Sequence, residues 1–126
     1  MTRVCFQLRV RPDRLEEYTA RHTPVSPDML REIAASGRRN YSLFLLPDGL
    51  LIGYYETDDQ QAADDYLAAS TIAIAWEREM APFFEGLDGR ADQGATVLPE
   101  VFNLESQLAA SATTIARPES RKQDIS

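Results

Sequence analysis

The stretch NYSLFLLPDGLLIGYYET, residues 40–57, predicts two strands joined by a tight turn. Residues Asn40–Leu46 and Leu50–Thr57 are rich in β-branched, aromatic and other apolar side chains, which favour strands. Pro47–Gly49 between them has the composition of a turn, since proline presets φ and glycine tolerates positive φ. The stretch therefore predicts an antiparallel hairpin.

Bulky apolar side chains fall on both faces of this hairpin. Leu43 and Leu45 point to one face of the first strand, and Phe44 and Leu46 point to the other. A sheet that is apolar on both faces has to be covered on both. We expect helices on one face and a second copy of the chain on the other.

The residues before the hairpin predict one strand and a broken helix. Apolar and polar residues alternate over 4–10, as in a strand with one buried face. A helical pattern follows through Tyr18 and His22. Pro24 disfavours helix at the residue before it, so this helix ends just after His22. Ser26–Asp28 then has the pattern of a new helix start, with a cap, a proline and an acidic residue.

The residues after the hairpin predict a second broken helix and a fourth strand. Asp58 or Asp59 caps one helix, and Ser70 caps the next. Residues 86–94 form a polar loop that contains glycine. The apolar segment Val97–Leu104 is the predicted fourth strand.

The resulting order is β-α-β-β-α-β, the ferredoxin-like α+β pattern with a four-stranded antiparallel sheet. We assign it to one domain, residues 1–105, followed by a C-terminal tail, residues 106–126. The sheet face without helices predicts a homodimer that packs sheet on sheet.

Composition excludes several classes of function. The 126 residues carry a net charge of −7, which disfavours binding to nucleic acid. No apolar run is long enough to span a membrane, and Cys5 stands alone, so we expect a cytoplasmic protein without a disulfide. One histidine and one cysteine do not make a usual zinc site, and no phosphate-binding or nucleophile motif is present. We therefore expect neither a metal nor a cofactor.

His22 is the strongest candidate for chemistry. It follows Tyr18 by four residues, so both side chains lie on one face of the helix. In the last turn of a helix the dipole favours the imidazolium, which predicts a raised pKa for His22. A group that titrates near neutral pH can both donate and accept a proton.

Three further residues are candidates, although each has a structural alternative. Trp76 is a core anchor or one wall of a binding site, and Tyr41 is a strand residue or a ligand for substrate. Glu100 either faces solvent or accepts a hydrogen bond in a pocket. Tyr18, taken alone, is equally consistent with a core position.

Over residues 3–104 the chain resembles the L-rhamnose mutarotase family in a set of motifs that stand in the same order and at the same spacing. These are Tyr18, Arg21-His22-x-Pro24 with Pro27, Gly37-x-x-Asn40-Tyr41-Ser42, Tyr55-Glu56, Trp76 with Met80, and Glu100-Val101-Phe102. The family differs from this chain at two positions, since it usually has tryptophan where Ser26 and Glu77 stand here.

The resemblance implies a dimeric α+β barrel that interconverts the α and β anomers of a free monosaccharide without a cofactor. It implies that His22 is the acid and that Tyr18, Tyr41 and Trp76 bind the sugar. We add Glu100 as a candidate ligand. The second proton carrier is Glu100, Tyr18 or water. L-rhamnose or a related deoxy sugar is the expected substrate.

Two other functions are compatible with the same pattern. One is a dimeric ferredoxin-like oxygenase or decarboxylase that acts on an aromatic substrate without a cofactor. The other is a sugar-binding module without catalytic activity.

Overall fold

Two strands with alternating burial form the centre of the sheet. β1 (Thr2–Arg9) pairs along its whole length with β3 (Leu50–Thr57). β2 (Arg39–Leu45) and β4 (Thr96–Leu98) flank this pair, so the order is β2-β3-β1-β4 and every neighbour is antiparallel. The predicted hairpin and the predicted four-stranded antiparallel sheet are confirmed.

The structure, a computed structural model, describes residues 1–86 and 95–113. The α-helices in these ranges are α1 (Leu15–Arg21), α2 (Pro27–Ser36), α3 (Gln60–Ala69), α4 (Thr71–Met80) and α5 (Leu104–Thr113), with 3-10 turns at Pro12–Arg14 and Ala81–Phe83. Within these ranges no helix has both the length and the apolar character that crossing a bilayer requires.

Local signals in the sequence set the helix ends. The side chains of Ser26, Asp59 and Ser70 accept the N–H three residues further on, at 3.3, 3.0 and 3.1 Å. Each satisfies one of the backbone donors that a helix start leaves open. Gly37, with a φ of 98°, closes α2 in the left-handed conformation that glycine adopts without strain. Both broken helices are thus confirmed.

One face of the sheet carries the core. Side chains of β1 and β3 on this face, among them Phe6, Leu51 and Tyr55, are buried. The helices pack against this face, since Leu51 forms one hydrophobic cluster with Tyr18 of α1 and Met80 of α4. On the opposite face the side chains are half-buried or exposed.

The fourth strand is shorter than predicted. The segment Val97–Leu104 contributes only residues 97 and 98 to β4, and Leu104 begins α5 instead. Pro99 has no N–H to donate to the ladder, so pairing stops there. Asn103 then starts the helix, since its side-chain oxygen accepts the N–H of Ser106 at 2.9 Å.

Two predicted segments lie partly outside the described residues. Of the predicted loop 86–94, residues 87–94 are not described, and of the predicted tail 106–126, residues 114–126 are not described. Residues 106–113 of that tail are helical, and α5 runs across the boundary predicted at residue 105.

Candidate active site

A cavity of about 710 Å³ lies between the helical layer and the sheet. The sheet contributes side chains of β1, β2 and β3, and the helices α1, α2, α3 and α4 contribute others. The remaining side chains come from the segments that follow α1, α2 and the second 3-10 turn. Tyr18, His22, Tyr41 and Trp76 all line this cavity. Residues that are up to 58 positions apart in the chain therefore meet at one site.

His22 lies at the end of α1, where the helix stops ahead of Pro24. Its Nδ1 is 2.9 Å from the carbonyl oxygen of Tyr18, one turn earlier. A carbonyl oxygen only accepts hydrogen bonds, so Nδ1 carries the hydrogen and donates it. The other ring nitrogen, Nε2, then carries no hydrogen in the neutral ring and is the nitrogen that can take up a proton.

Two aromatic rings hold the imidazole in place. The Tyr18 ring lies 4.3 Å from the imidazole, centroid to centroid, at an angle of 31°. The Trp76 ring meets it edge-on at 5.4 Å and 82°. These contacts restrict the rotation of the His22 side chain and set the direction of Nε2.

Burial lowers the pKa of His22, while its hydrogen bond to the Tyr18 carbonyl opposes this shift. The sequence predicted that the helix dipole would raise the pKa of His22. This prediction is wrong, because the shift is downward. Removing the imidazolium from water costs more free energy than the dipole of a helix as short as α1 contributes to its stability.

Tyr18 is buried under the imidazole. Burial, with the nearby Tyr41 and Glu77 as smaller causes, raises the pKa of its phenol well above the usual range. The phenol therefore stays protonated at physiological pH. It can donate a hydrogen bond into the cavity, but it is a poor acceptor for a proton.

Tyr41 reaches the cavity from β2. Its ring packs on Tyr55 at 5.3 Å and meets Phe6 edge-on at 6.3 Å. The buried guanidinium of Arg38 lies over the Tyr55 ring at 4.4 Å and donates to Asp64 at 2.8 Å. The contacts with Phe6 and Tyr55 hold the Tyr41 ring in position.

Glu100 is not part of this group. Its carboxylate accepts two hydrogen bonds from the guanidinium of Arg3, at 2.8 and 3.1 Å. These hydrogen bonds lower the pKa of Glu100. The residue does not line the cavity, so the structure places it away from the other predicted site residues.

Glu77 also lines the cavity, although it was not among the site residues predicted from the sequence. Ala73, Trp76, Glu77 and Met80 all line the cavity, at the spacing of one helix face. The same spacing can be read in the sequence as a stripe along one face of a helix. Only the structure shows that this stripe faces an open cavity.

In the described ranges, no three histidine, cysteine, aspartate or glutamate side chains are grouped so that they would hold a metal ion. The polar side chains around the cavity are the imidazole, two phenols, an indole, two threonine hydroxyls, a carboxylate and a guanidinium that pairs with Asp64. This set can exchange protons and form hydrogen bonds with a small polar molecule.

Comparison with known proteins gives one consistent family. The family model for L-rhamnose mutarotase matches residues 3–104. L-rhamnose mutarotase from Oceanobacillus iheyensis is 32% identical over 106 residues, which are 83% of this chain and 100% of that protein.

Two solved structures share the fold. L-rhamnose mutarotase from Formosa agariphila superposes with a TM-score of 0.67 at 20% identity, over 82% of this chain and 99% of that one. Tetracenomycin F2 cyclase from Streptomyces glaucescens, a type-II polyketide cyclase, reaches 0.58 at 17% identity, over 82% and 99%. The fold is therefore common to different chemistries, whereas the family model is specific. The chain belongs to the L-rhamnose mutarotase family.

Proposed function

We propose that this protein is an isomerase that interconverts the α and β anomers of a free aldose, L-rhamnose or a related deoxy sugar. The observation that carries the proposal is that His22, Tyr18, Tyr41 and Trp76 line one cavity in a chain of this family. Such a cavity presents a proton donor, hydrogen-bond donors and an aromatic wall to a sugar ring.

The reaction needs one acid and one base. His22 Nε2, as the imidazolium, donates its proton to the ring oxygen while a base takes the proton of the anomeric hydroxyl. The bond between C1 and the ring oxygen breaks, and C1 becomes the carbon of an aldehyde. After rotation about C1–C2 the ring closes on the other carbonyl face, and both protons return to the groups that held them.

We assign the base to Glu77. Its carboxylate lines the cavity on the helix face that also carries Trp76, and Trp76 touches the imidazole. The phenol of Tyr18 is not ionised at physiological pH, so no phenolate is present there to take the proton. Glu100 is hydrogen-bonded to Arg3, away from the cavity.

Tyr41 and Trp76 hold the sugar. The Tyr41 hydroxyl is suited to a sugar hydroxyl, and the indole of Trp76 to the apolar C–H face of the ring. Packed aromatic neighbours support both side chains, which reduces the conformational entropy lost on binding.

The test is saturation-transfer NMR on L-rhamnose, L-fucose and related aldoses with the wild-type protein and the His22→Gln variant. We expect exchange well above the spontaneous rate for the wild type and a loss of about 10²–10⁴-fold for His22→Gln. The glutamine amide can still donate to the Tyr18 carbonyl, so the circular dichroism spectrum should not change.

Glu16→Gln is the matched control, because Glu16 is exposed on the same helix and does not line the cavity. This variant should exchange anomers like the wild type. A wild-type protein that accelerates exchange for no aldose would contradict the proposed function.

The assembly that we propose is a homodimer, in which the exposed face of the sheet meets its copy to form an α+β barrel. Phe44 is 61% exposed on β2, although it is a large apolar side chain. Covering such a surface is a common reason for two copies to associate. The expected cytoplasmic location stays a prediction.

One observation favours an alternative function. Most side chains around the cavity are apolar, and the polyketide cyclase shares the fold. A cofactor-free oxygenase acting on an aromatic substrate would use such a cavity. Binding of polycyclic phenols that quenches Trp76 fluorescence, without any anomer exchange, would support this alternative.

A further inference from the structure

The cavity is larger than a simple sugar requires. A deoxyhexose has about eleven non-hydrogen atoms, and even at the roughly 30 Å³ that each water molecule takes up in the liquid these atoms fill only about 330 Å³. The cavity measures about 710 Å³. A bare sugar bound against His22 and Trp76, which contact each other and both line the cavity, would therefore leave much of the cavity volume for a further group.

The cavity wall has two parts, formed by two different hydrophobic clusters, and Trp76 packs against both. This indole packs against the cluster that contains Tyr18 and Met80, next to the imidazole. It also packs against a second cluster, formed around Met29. We call the second part the apolar chamber, and its cavity-lining residues are Val25, Met29, Ile33, Leu67 and Ala73.

The apolar chamber offers little to a polar group. Its five side chains are hydrocarbon or thioether, so a sugar hydroxyl placed among them would lose its water without gaining a partner. The nearest positive charge on the cavity wall is Arg38, whose side chain is only 4% exposed and donates to Asp64 at 2.8 Å. An anionic group would have to compete with this carboxylate, so the chamber favours an apolar occupant.

We propose that the apolar chamber is a subsite for an apolar substituent of the substrate. The substrate class is a deoxy sugar with a free anomeric hydroxyl and an alkyl or acyl group on another oxygen. This inference rests on the proposed function, because the anomeric end of the same molecule has to reach His22. Trp76 then contacts the sugar ring on one side and the substituent on the other.

The test compares kcat/KM for anomer exchange, by NMR, across L-rhamnose and its O-methyl and O-butyl ethers at each of the 2, 3 and 4 positions. Burial of one methylene corresponds to a gain of about fourfold. We expect at least one series of ethers to rise with chain length, to about 10-fold or more over L-rhamnose for the butyl ether. The gain should come mainly from a lower KM, because the chamber binds a group that does not react.

Two variants locate the effect. Ile33→Phe fills the chamber and should reduce the ratio of butyl ether to L-rhamnose towards one. Val25→Phe, from the segment before α2, should act in the same way if Ile33→Phe fails to fold. Ile72→Phe is the matched control, because Ile72 is exposed on α4 and does not line the cavity, and it should keep the wild-type ratio.

The measurements distinguish failure of the proposed substituent subsite from failure of the proposed mutarotase function. If L-rhamnose exchanges rapidly but no ether is favoured, or if Ile33→Phe and Val25→Phe leave the ratio unchanged, the substituent subsite is wrong and the mutarotase function stands. If neither the sugars nor their ethers exchange above the spontaneous rate, both are wrong. Tight binding of an aromatic compound without exchange would also overturn both.

Discussion

A single residue, His22, shows how local and distant contacts combine at this site. Pro24 ends the helix and leaves the imidazole free to turn towards the Tyr18 carbonyl. Trp76, which belongs to the distant helix α4, contacts this ring edge-on. The position of the ring follows from nearby sequence, whereas its burial and its lowered pKa follow from the fold.

The lowered pKa of His22 predicts the pH dependence of the reaction. In the proposed mechanism the imidazolium is the acid, so activity falls as pH rises through this pKa. We expect the alkaline limb of kcat/KM to lie below about 6.5, the ordinary value for histidine. NMR exchange rates between pH 4.5 and 8.5 test this, and a limb above pH 7 would contradict it. The other ionisable groups around the cavity are Tyr18, Arg38, Tyr41 and Glu77.

Glu77 gives a second prediction at the scale of one residue. Glu77→Gln keeps the shape of the side chain but removes the base, so exchange should fall by about 10²–10⁴-fold. The loss should appear mainly in kcat rather than in KM, because the proposed base acts on the reacting proton, whereas a role in shaping the cavity would mainly raise KM. The measurement is the same NMR assay, with Glu16→Gln as the control. Wild-type activity in Glu77→Gln would show that another group takes the proton.

Among the elements, β3 supports the site through one glycine. Gly53 pairs with Phe6 across the sheet, and the Phe6 ring lies on the glycine backbone. A Cβ at position 53 would lie 2.2 Å from Cζ of Phe6. The ring contacts Tyr41 and Tyr55, so it cannot move without disturbing the floor of the cavity.

Gly53→Ala should therefore destabilise the protein by about 1–3 kcal/mol, the usual cost of overpacking a core. It should also raise KM, since the displaced Phe6 ring pushes on Tyr41. Urea denaturation and exchange kinetics measure the two effects. Glu16→Gln, at an exposed position of α1, is the control and should change the free energy of unfolding by less than about 0.5 kcal/mol. Equal stability of Gly53→Ala and the wild type would contradict this packing.

The helices illustrate where element boundaries come from. Ser26, at a position where the family usually has tryptophan, accepts the N–H of Met29 and caps α2. Glu77, at the other such position, lines the cavity on α4. One departure from the family pattern thus serves a helix start, and the other adds a carboxylate to the site.

At the scale of the whole molecule, the helices cover one sheet face, and the proposed homodimer would cover the other. Phe44 is 61% exposed on β2, and beyond β4 the apolar residues Val101 and Phe102 are 92% and 61% exposed. Isolated apolar residues are normal on a surface, but three large ones support the proposed assembly.

We expect sedimentation velocity to give a dimer for the wild type at micromolar concentration. Phe44→Asp should raise the dissociation constant by about 10-fold or more, because it places a charge in the interface. Ile72→Asp, on the helical side, is the control and should leave the association unchanged. A wild-type protein that stays monomeric at 100-fold higher concentration would contradict the proposed dimer.

The sequence by itself determined the periodicities, the hairpin, the broken helices and the motifs that give the family. These features depend on a few neighbouring residues, through side-chain alternation, helix caps and proline, so they can be deduced without a fold. The identity of His22, Tyr18, Tyr41 and Trp76 as candidates came from the same motifs.

Only the tertiary structure decided the burial, the hydrogen-bond partners and the pKa shifts of these residues. The pairing of Glu100 with Arg3 and the place of Glu77 in the cavity were not predicted, and the predicted direction of the His22 pKa shift and the predicted extent of β4 were wrong. Burial and ion pairing depend on groups that are far away in the chain, and their energies appear only when packing removes water from between them.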